Sequence, residues 1–207
     1  MPVNNNRWNR LRYTLYSPIY DLVARYFNRA RQRSIALLAP QAGQKVLLVG
    51  AGTGLDIPYF PVDCELTATD LTPAMLRQLE RNNQVWQRQV NTLVMDGQKL
   101  SFADEQFECV VLHLILAVIP DPVACLFEAE RVLKKGGKMV VFDKFIAPKQ
   151  PVSLARRLLN PFANLLFSDI TRDFYDIHQH SQLQVLSDEP AALQGQFRIL
   201  LLTKSAG

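Results

Sequence analysis

The run Lys45-Val46-Leu47-Leu48-Val49-Gly50-Ala51-Gly52-Thr53-Gly54 constrains this chain more than any other stretch. Four of its first five residues are apolar. A short apolar run that ends in glycines reads as a strand buried on both faces, the kind found in parallel sheets. Glycines at alternate positions then form the turn that leaves the strand. They permit backbone angles that a side chain disfavours and let a ligand approach the main chain beside a helix N-terminus. In an open α/β sheet such a turn lies at the carboxyl ends of the strands, where nucleotide-like ligands bind. A dinucleotide fingerprint asks for Gly or Ala at position 55, and Leu55 stands there.

The chain after this turn alternates strand and helix patterns. Residues 64–70 read as a second strand ending in Asp70, twenty residues beyond Gly50. An acid at that distance is where such folds hydrogen-bond a ribose, because a carboxylate accepts from two neighbouring hydroxyls. The alternative is that Asp70 caps a turn. Pro73 to about Gln89 reads as a helix with Leu76, Leu79 and Val85 on its buried side, and residues 91–95 as a third strand before Asp96-Gly97. Phe107 to Leu112 reads as strand four, leading into His113. Asp121-Pro122 supplies an N-cap and a first-turn proline for a helix to about Val132. Leu133 to Lys138 reads as that helix's end with a glycine C-cap, followed by strand five from Met139 to Asp143. Residues 184–188 and 197–203 read as two closing strands, with Pro190 and Gly195 in the connection.

The Gly-x-Gly-x-Gly spacing resembles the first motif of class I S-adenosylmethionine (SAM) dependent methyltransferases. With "FECVVLHLILAVIPDP" and "RVLKKGGKMVVFD" in order, the chain resembles the methyltransferase type 11 group, close to the ubiquinone/menaquinone and phosphatidylethanolamine methyltransferases. The resemblance implies an α/β, Rossmann-like fold: a seven-stranded, mostly parallel sheet with helices on both faces, a final antiparallel strand and an N-terminal helical cap. It implies one domain over 1–207, with a cap at 1–39, a SAM-binding core at 40–147, a helical lid at 148–181 and closing strands at 182–207. SAM is the implied cofactor, held by Gly50, Ala51, Gly52, Gly54, Asp70, Leu71, Asp96, Gly97 and His113. Asp96 would meet the adenine amino group, and Tyr20, from a "YD" pattern at Tyr20-Asp21, would close over the cofactor. Leu48 departs from the family, which usually has Asp or Glu two residues before the first glycine to help fix the methionine amino group. His113 and Asp143, at the carboxyl edge, are the catalytic candidates. His113 would act as a general base, or pack against the cofactor; Asp143 would orient the substrate.

Charge bears on the acceptor. The net charge is +4, yet residues 1–33 hold seven arginines against the single acid Asp21. Arg7, Arg10, Arg12, Arg25, Arg29, Arg31 and Arg33 interleave with Trp8, Tyr13, Tyr16 and Tyr20, a mixture that suits an anionic membrane surface. The alternative is a basic helix packed over the sheet with its arginines in water. Ser17-Pro18 reads as a fresh helix start within this segment. No nucleic-acid-binding motif accompanies the charge, so nucleic acid is not an expected partner. Residues 148–181 carry Leu154, Leu158, Leu159, Phe162, Leu165, Leu166 and Phe167 between prolines, which suits a lid over the site or a segment that dips into lipid. The expected acceptor is therefore an amphiphile, a phospholipid headgroup amine or an isoprenoid quinone ring. A small soluble acceptor, or a non-catalytic SAM-binding role, is the alternative. Cys64, Cys109 and Cys125 have no metal-ligand spacing, and His178 and His180 have no third ligand nearby, so no metal is expected. With no apolar run long enough to span a bilayer and no signal core, the expected location is cytoplasmic, peripheral to the inner face of the membrane.

Overall fold

The computed structural model describes residues 5–7, 9–11, 14, 25–146 and 171–206. Its strands are β1 (Lys45–Val49), β2 (Glu65–Asp70), β3 (Val90–Val94), β4 (Phe107–His113), β5 (Leu133–Lys144), β6 (Gln184–Ala192) and β7 (Phe197–Thr203). They form one sheet in the order β3-β2-β1-β4-β5-β7-β6. β1 to β5 pair in parallel, and β7 runs antiparallel to both β5 and β6. The helices are α1 (Asn28–Leu38), α2 (Pro73–Trp86), α3 (Pro122–Val132) and the short α4 (Phe174–His178).

Strand alternation divides the core into two layers. In β1, Val46 and Leu48 face one side, with Ile35 and Leu38 of α1 and Leu76 and Leu79 of α2. Leu47 and Val49 face the other, with Leu126 and Ala129 of α3 and Phe174 of α4. Side chains two apart share a face, so a strand covered on both sides must be apolar throughout. Phe27, in the turn before α1, lays its ring 4.6 Å from that of Phe197 and 5.8 Å from that of Phe142, which fixes α1 on the sheet. Asp121 caps α3 as its sequence indicates, its carboxylate accepting from Ala124 N at 2.9 Å.

Several boundaries differ from the sequence reading, each for a local reason. α2 stops at Trp86, where Gln87 turns left-handed (φ 52°) and its N–H donates to Asn83 O. Val85 is exposed, not buried: at 100° per residue it lies about 180° round the helix from Leu76. The Leu133–Lys138 run is no glycine-capped helix end. α3 ends on extended Leu133, and β5 begins there, with an irregularity that takes its pairing with β4 from Phe107–Leu133 to Cys109–Lys138. Gly137 is what that irregularity requires, since a Cβ there would stand 2.8 Å from Lys134 O and 2.9 Å from Glu108 O. Pro190 lies inside β6 rather than in the connection. A proline fits there because β6 is an edge strand and the pairing shifts between Pro190 and Ala192.

Trp8, Tyr13, Tyr16 and Tyr20, the helix start at Ser17-Pro18 and the apolar part of the expected lid lie outside the described residues. Among the described residues, no helix is long and apolar enough to cross a membrane.

Candidate active site

A cleft opens at the carboxyl ends of β1 to β4. Gly50 and Gly52 form its floor, Asp70 and Leu71 one wall, and Asp96 and Gly97 the far end. His113, Leu114 and Ile115 close it on the β4 side, and Asn6 and Asn9 reach in from the N-terminal segment. Gly50 has φ +68°, and a Cβ on it would stand 2.5 Å from Ile115 Cδ1, so only glycine lets the turn pass beneath this wall. Leu114 adopts φ +58°, a conformation that costs a non-glycine residue of order 1–3 kcal/mol. Its N–H donates to Phe142 O at 2.7 Å, and this turn carries Ile115, Val118 and Ile119 over the cleft.

Seven of the residues expected to hold the cofactor therefore meet at one cleft: Gly50, Gly52, Asp70, Leu71, Asp96, Gly97 and His113. Ala51 and Gly54 do not line it. Ala51 N donates to Thr69 O at 2.8 Å, and Gly54 packs against Leu79 and Ile57. Tyr20 lies outside the described residues.

Asp70 lines the cleft and also caps the turn. One carboxylate oxygen accepts from Gly52 N at 2.9 Å and the other from Thr72 N at 2.8 Å, which joins the glycine turn to the start of α2. Its remaining lone pairs are available to the cleft. Burial raises its pKa, and the two backbone donors offset this only in part.

The two catalytic candidates are both enclosed by hydrogen-bond partners within the fold. His113 is buried with both ring nitrogens engaged: Nδ1 lies 2.8 Å from Asp56 Oδ1, and Nε2 lies 2.8 Å from Ser34 Oγ. Asp56 also accepts from Arg31 Nη1 at 2.7 Å. Burial pushes the Asp56 pKa up, but the Arg31 and His113 charges and hydrogen bonds outweigh it and hold the carboxyl well below the usual range. Asp56 is thus ionised, and His113 is held between its carboxylate and the Ser34 hydroxyl. Ser34, His113 and Asp56 have the connectivity of a Ser-His-Asp triad. Ser34 is 0% exposed on α1, however, so no acyl group reaches its hydroxyl. Asp143 is 1% exposed, and its two oxygens accept from Ala117 N at 2.9 Å and Lys144 N at 2.7 Å. Burial lifts its pKa to about 6 against the pull of those two N–H donors. Asp143 therefore holds the backbone behind the cleft wall.

The sequence reading missed the partners of His113. Arg31 was grouped with the surface arginines, yet it is 4% exposed. A signal was present: Arg31, Ser34, Ile35 and Leu38 stand at i, i+3, i+4 and i+7, the buried stripe of a helix. Asn6 and Asn9 gave no comparable signal. Leu48 is 1% exposed in the α1-side core, so that position faces the helix layer. Among the described residues no cluster of metal-ligating side chains occurs, and His178 instead stacks on Phe174 with Nε2 2.7 Å from Leu183 O.

Residues 47–141 match the family described as "Methyltransferase domain". A phosphatidylethanolamine N-methyltransferase of Cereibacter sphaeroides is 30% identical over 184 residues, which is 88% of this chain and 91% of that protein. The chain belongs to the SAM-dependent methyltransferases. A demethylmenaquinone methyltransferase of Tropheryma whipplei is 32% identical to this methyltransferase over 157 residues, 72% of this chain and 64% of that protein. A SAM-dependent methyltransferase from Aquifex aeolicus shares the fold, with a TM-score of 0.68 at 16% identity over 91% of this chain and 97% of that one. Its cofactor is SAM, and the cleft suits one: two carboxylates stand at separate ends of a groove whose glycine floor leaves room for a ligand along the main chain.

Proposed function

We propose that this enzyme methylates an amphiphilic acceptor, a phospholipid headgroup amine before an isoprenoid quinone ring. The observation that carries this reading is the near full-length match to a phosphatidylethanolamine N-methyltransferase, against 64% coverage of the demethylmenaquinone enzyme. The state of His113 and Asp143 agrees with it. A ring carbon must lose a proton as it is methylated, whereas an ammonium headgroup can give its proton to solvent before transfer and then present its lone pair. Both candidate bases have their hydrogen-bonding atoms engaged within the fold, which favours the acceptor whose proton leaves before the methyl arrives.

In this reading Asp70 takes the ribose hydroxyls, Asp96 the adenine amino group and the Gly50–Gly54 turn the methionine end. The sulfonium supplies a methyl group already activated for transfer. The protein contributes position and exclusion of water. The strained Leu114 turn, held by Phe142 O in front and by Asp143 through Ala117 behind, fixes the apolar wall at which an acceptor would lie.

An amphiphile is supported by where the lid leaves the sheet. Ile146 N donates to Arg172 O at 3.0 Å, and the Arg172 guanidinium donates to Leu116 O. The described residues that flank the apolar segment therefore lie beside the cleft wall. Arg7, Arg10, Arg25 and Arg29 are exposed and suit an anionic lipid surface. Arg31 is removed from that set by Asp56, and Arg33 pairs with Glu189 at 3.0 Å.

Incubation with methyl-labelled SAM and vesicles of phosphatidylethanolamine, followed by chromatography of the lipids, tests the reading. Label in a methylated headgroup supports it. Label confined to quinone, or to water-soluble acceptors in a small-molecule panel, would replace it.

A further inference from the structure

The carboxylate of Asp96 is saturated from within the protein. Oδ1 accepts from the backbone N–H of Gln98 at 3.0 Å and from Gln98 Nε2 at 2.9 Å. Oδ2 accepts from Asn6 Nδ2 at 2.6 Å and is 3.1 Å from Gln98 Nε2. A carboxylate offers about four lone-pair sites, so these contacts fill it. The two donors are anchored differently. Gln98 lies two residues from Asp96, and its Oε1 accepts from Asp121 N at 2.9 Å, so it belongs to the frame around β3 and α3. Asn6 arrives from ninety residues away in the chain. It is held across the cleft with Asn9, which is buried and whose Nδ2 donates to Val118 O at 3.1 Å.

The chemistry of the Asn6 side chain matters here. A primary amide presents an N–H donor beside a carbonyl acceptor. A 6-aminopurine edge presents an amino donor beside a ring-nitrogen acceptor. Asn6 uses both atoms in that sense, donating to Asp96 while its Oδ1 lies 3.3 Å from Gln98 Nε2. We infer that Asn6 is a built-in competitor of the adenine edge. Its Nδ2 holds the Asp96 oxygen that an adenine amino group would take and must yield it to SAM. The same competition acts on the product, S-adenosylhomocysteine, which carries the same adenine, so Asn6 weakens both ligands.

This inference rests on the reading of Asp96 as the acceptor for the adenine amino group. The test is calorimetric titration of the full chain with SAM and with S-adenosylhomocysteine. The proteins compared are the wild type, Asn6→Ala, Asp96→Ala and the double variant. A ligand that displaces an internal competitor binds in proportion to the fraction of protein in which the site is open, so Asn6→Ala should tighten both ligands about five- to tenfold. Asp96→Ala should weaken both, and in that background removal of Asn6 should change nothing. Asn6 lies near the chain's start, so an unchanged melting temperature in Asn6→Ala verifies that the fold is intact. If Asp96→Ala weakens binding while Asn6→Ala leaves it unchanged or weaker, the competitor is overturned and the Asp96 reading stands. If Asp96→Ala binds as the wild type does, the Asp96 reading fails and the inference with it.

Discussion

Two groups of carboxylates lie at the same edge of this sheet, and they behave in opposite ways. Asp56 is enclosed with Arg31, His113 and Ser34, and its pKa falls. Asp70 and Asp143 are shielded too, but their hydrogen bonds come from backbone N–H groups and, for Asp70, the Thr72 side chain, and their pKa values rise. Burial penalises the charge in all three. A neighbouring guanidinium outweighs that penalty, whereas two amide dipoles do not. Asp56 is closed on itself and serves architecture, tying α1 to the glycine loop and to β4. Asp70, held by two N–H groups and the Thr72 side chain, lines the cleft and is the carboxylate proposed for the ribose.

The closed cluster should be the more fragile of the two under substitution. Asp56→Ala removes the carboxylate that the buried Arg31 and His113 share, so urea unfolding should show a loss of about 3–5 kcal/mol. A loss below about 1 kcal/mol would mean that Asp56 contributes no more than a surface pair does.

Asp143 sharpens the contrast through pH. Its folded pKa of about 6 lies above the value of about 3.9 for an unfolded aspartate, so the native state binds the proton more tightly. Protonation therefore adds stability as pH falls through 6, and the gain is complete below about 4, amounting to roughly 3 kcal/mol. Asp143→Asn removes the titration but turns an N–H toward one of two backbone donors. Measured against that variant, wild-type stability should rise between pH 7 and pH 4. A flat difference would show that Asp143 does not titrate in this range.

The exposed arginines should give the smallest effect per residue. Arg10→Glu should weaken sedimentation with anionic vesicles roughly fivefold at low salt, and less as salt is raised. An Arg31 substitution is not an equivalent probe, because that side chain is held in the core. Binding that ignores vesicle charge would remove the support that the basic segment lends to a lipid acceptor.

What was legible in the sequence follows the range of the interactions. The strand-turn of 45–54 and the Asp121-Pro122 cap are local devices, and both formed where their residues indicate. Asp70 and Asp96 were found because strand ends converge on one edge in any open α/β sheet. The glycines at 136 and 137 misled, since their reason lies in distant partners: Gly137 abuts Glu108 O, and Gly136 N donates to Lys204 O. Arg31 and His113 misled in the same way. Their roles depend on Asp56, a residue 25 positions from one and 57 from the other. Local composition read the first as a surface charge and the second as a general base or a residue packed against the cofactor.

The contrast between the closed and the open carboxylates is tested most directly by calorimetric titration of Asp70→Ala with SAM. Loss of a charge-assisted hydrogen bond at the ribose, worth about 1.5–3 kcal/mol, predicts affinity lower by about ten- to a hundredfold, in a protein that keeps its fold by circular dichroism. Wild-type affinity in a folded Asp70→Ala protein would contradict the assignment of the open carboxylate to the cofactor.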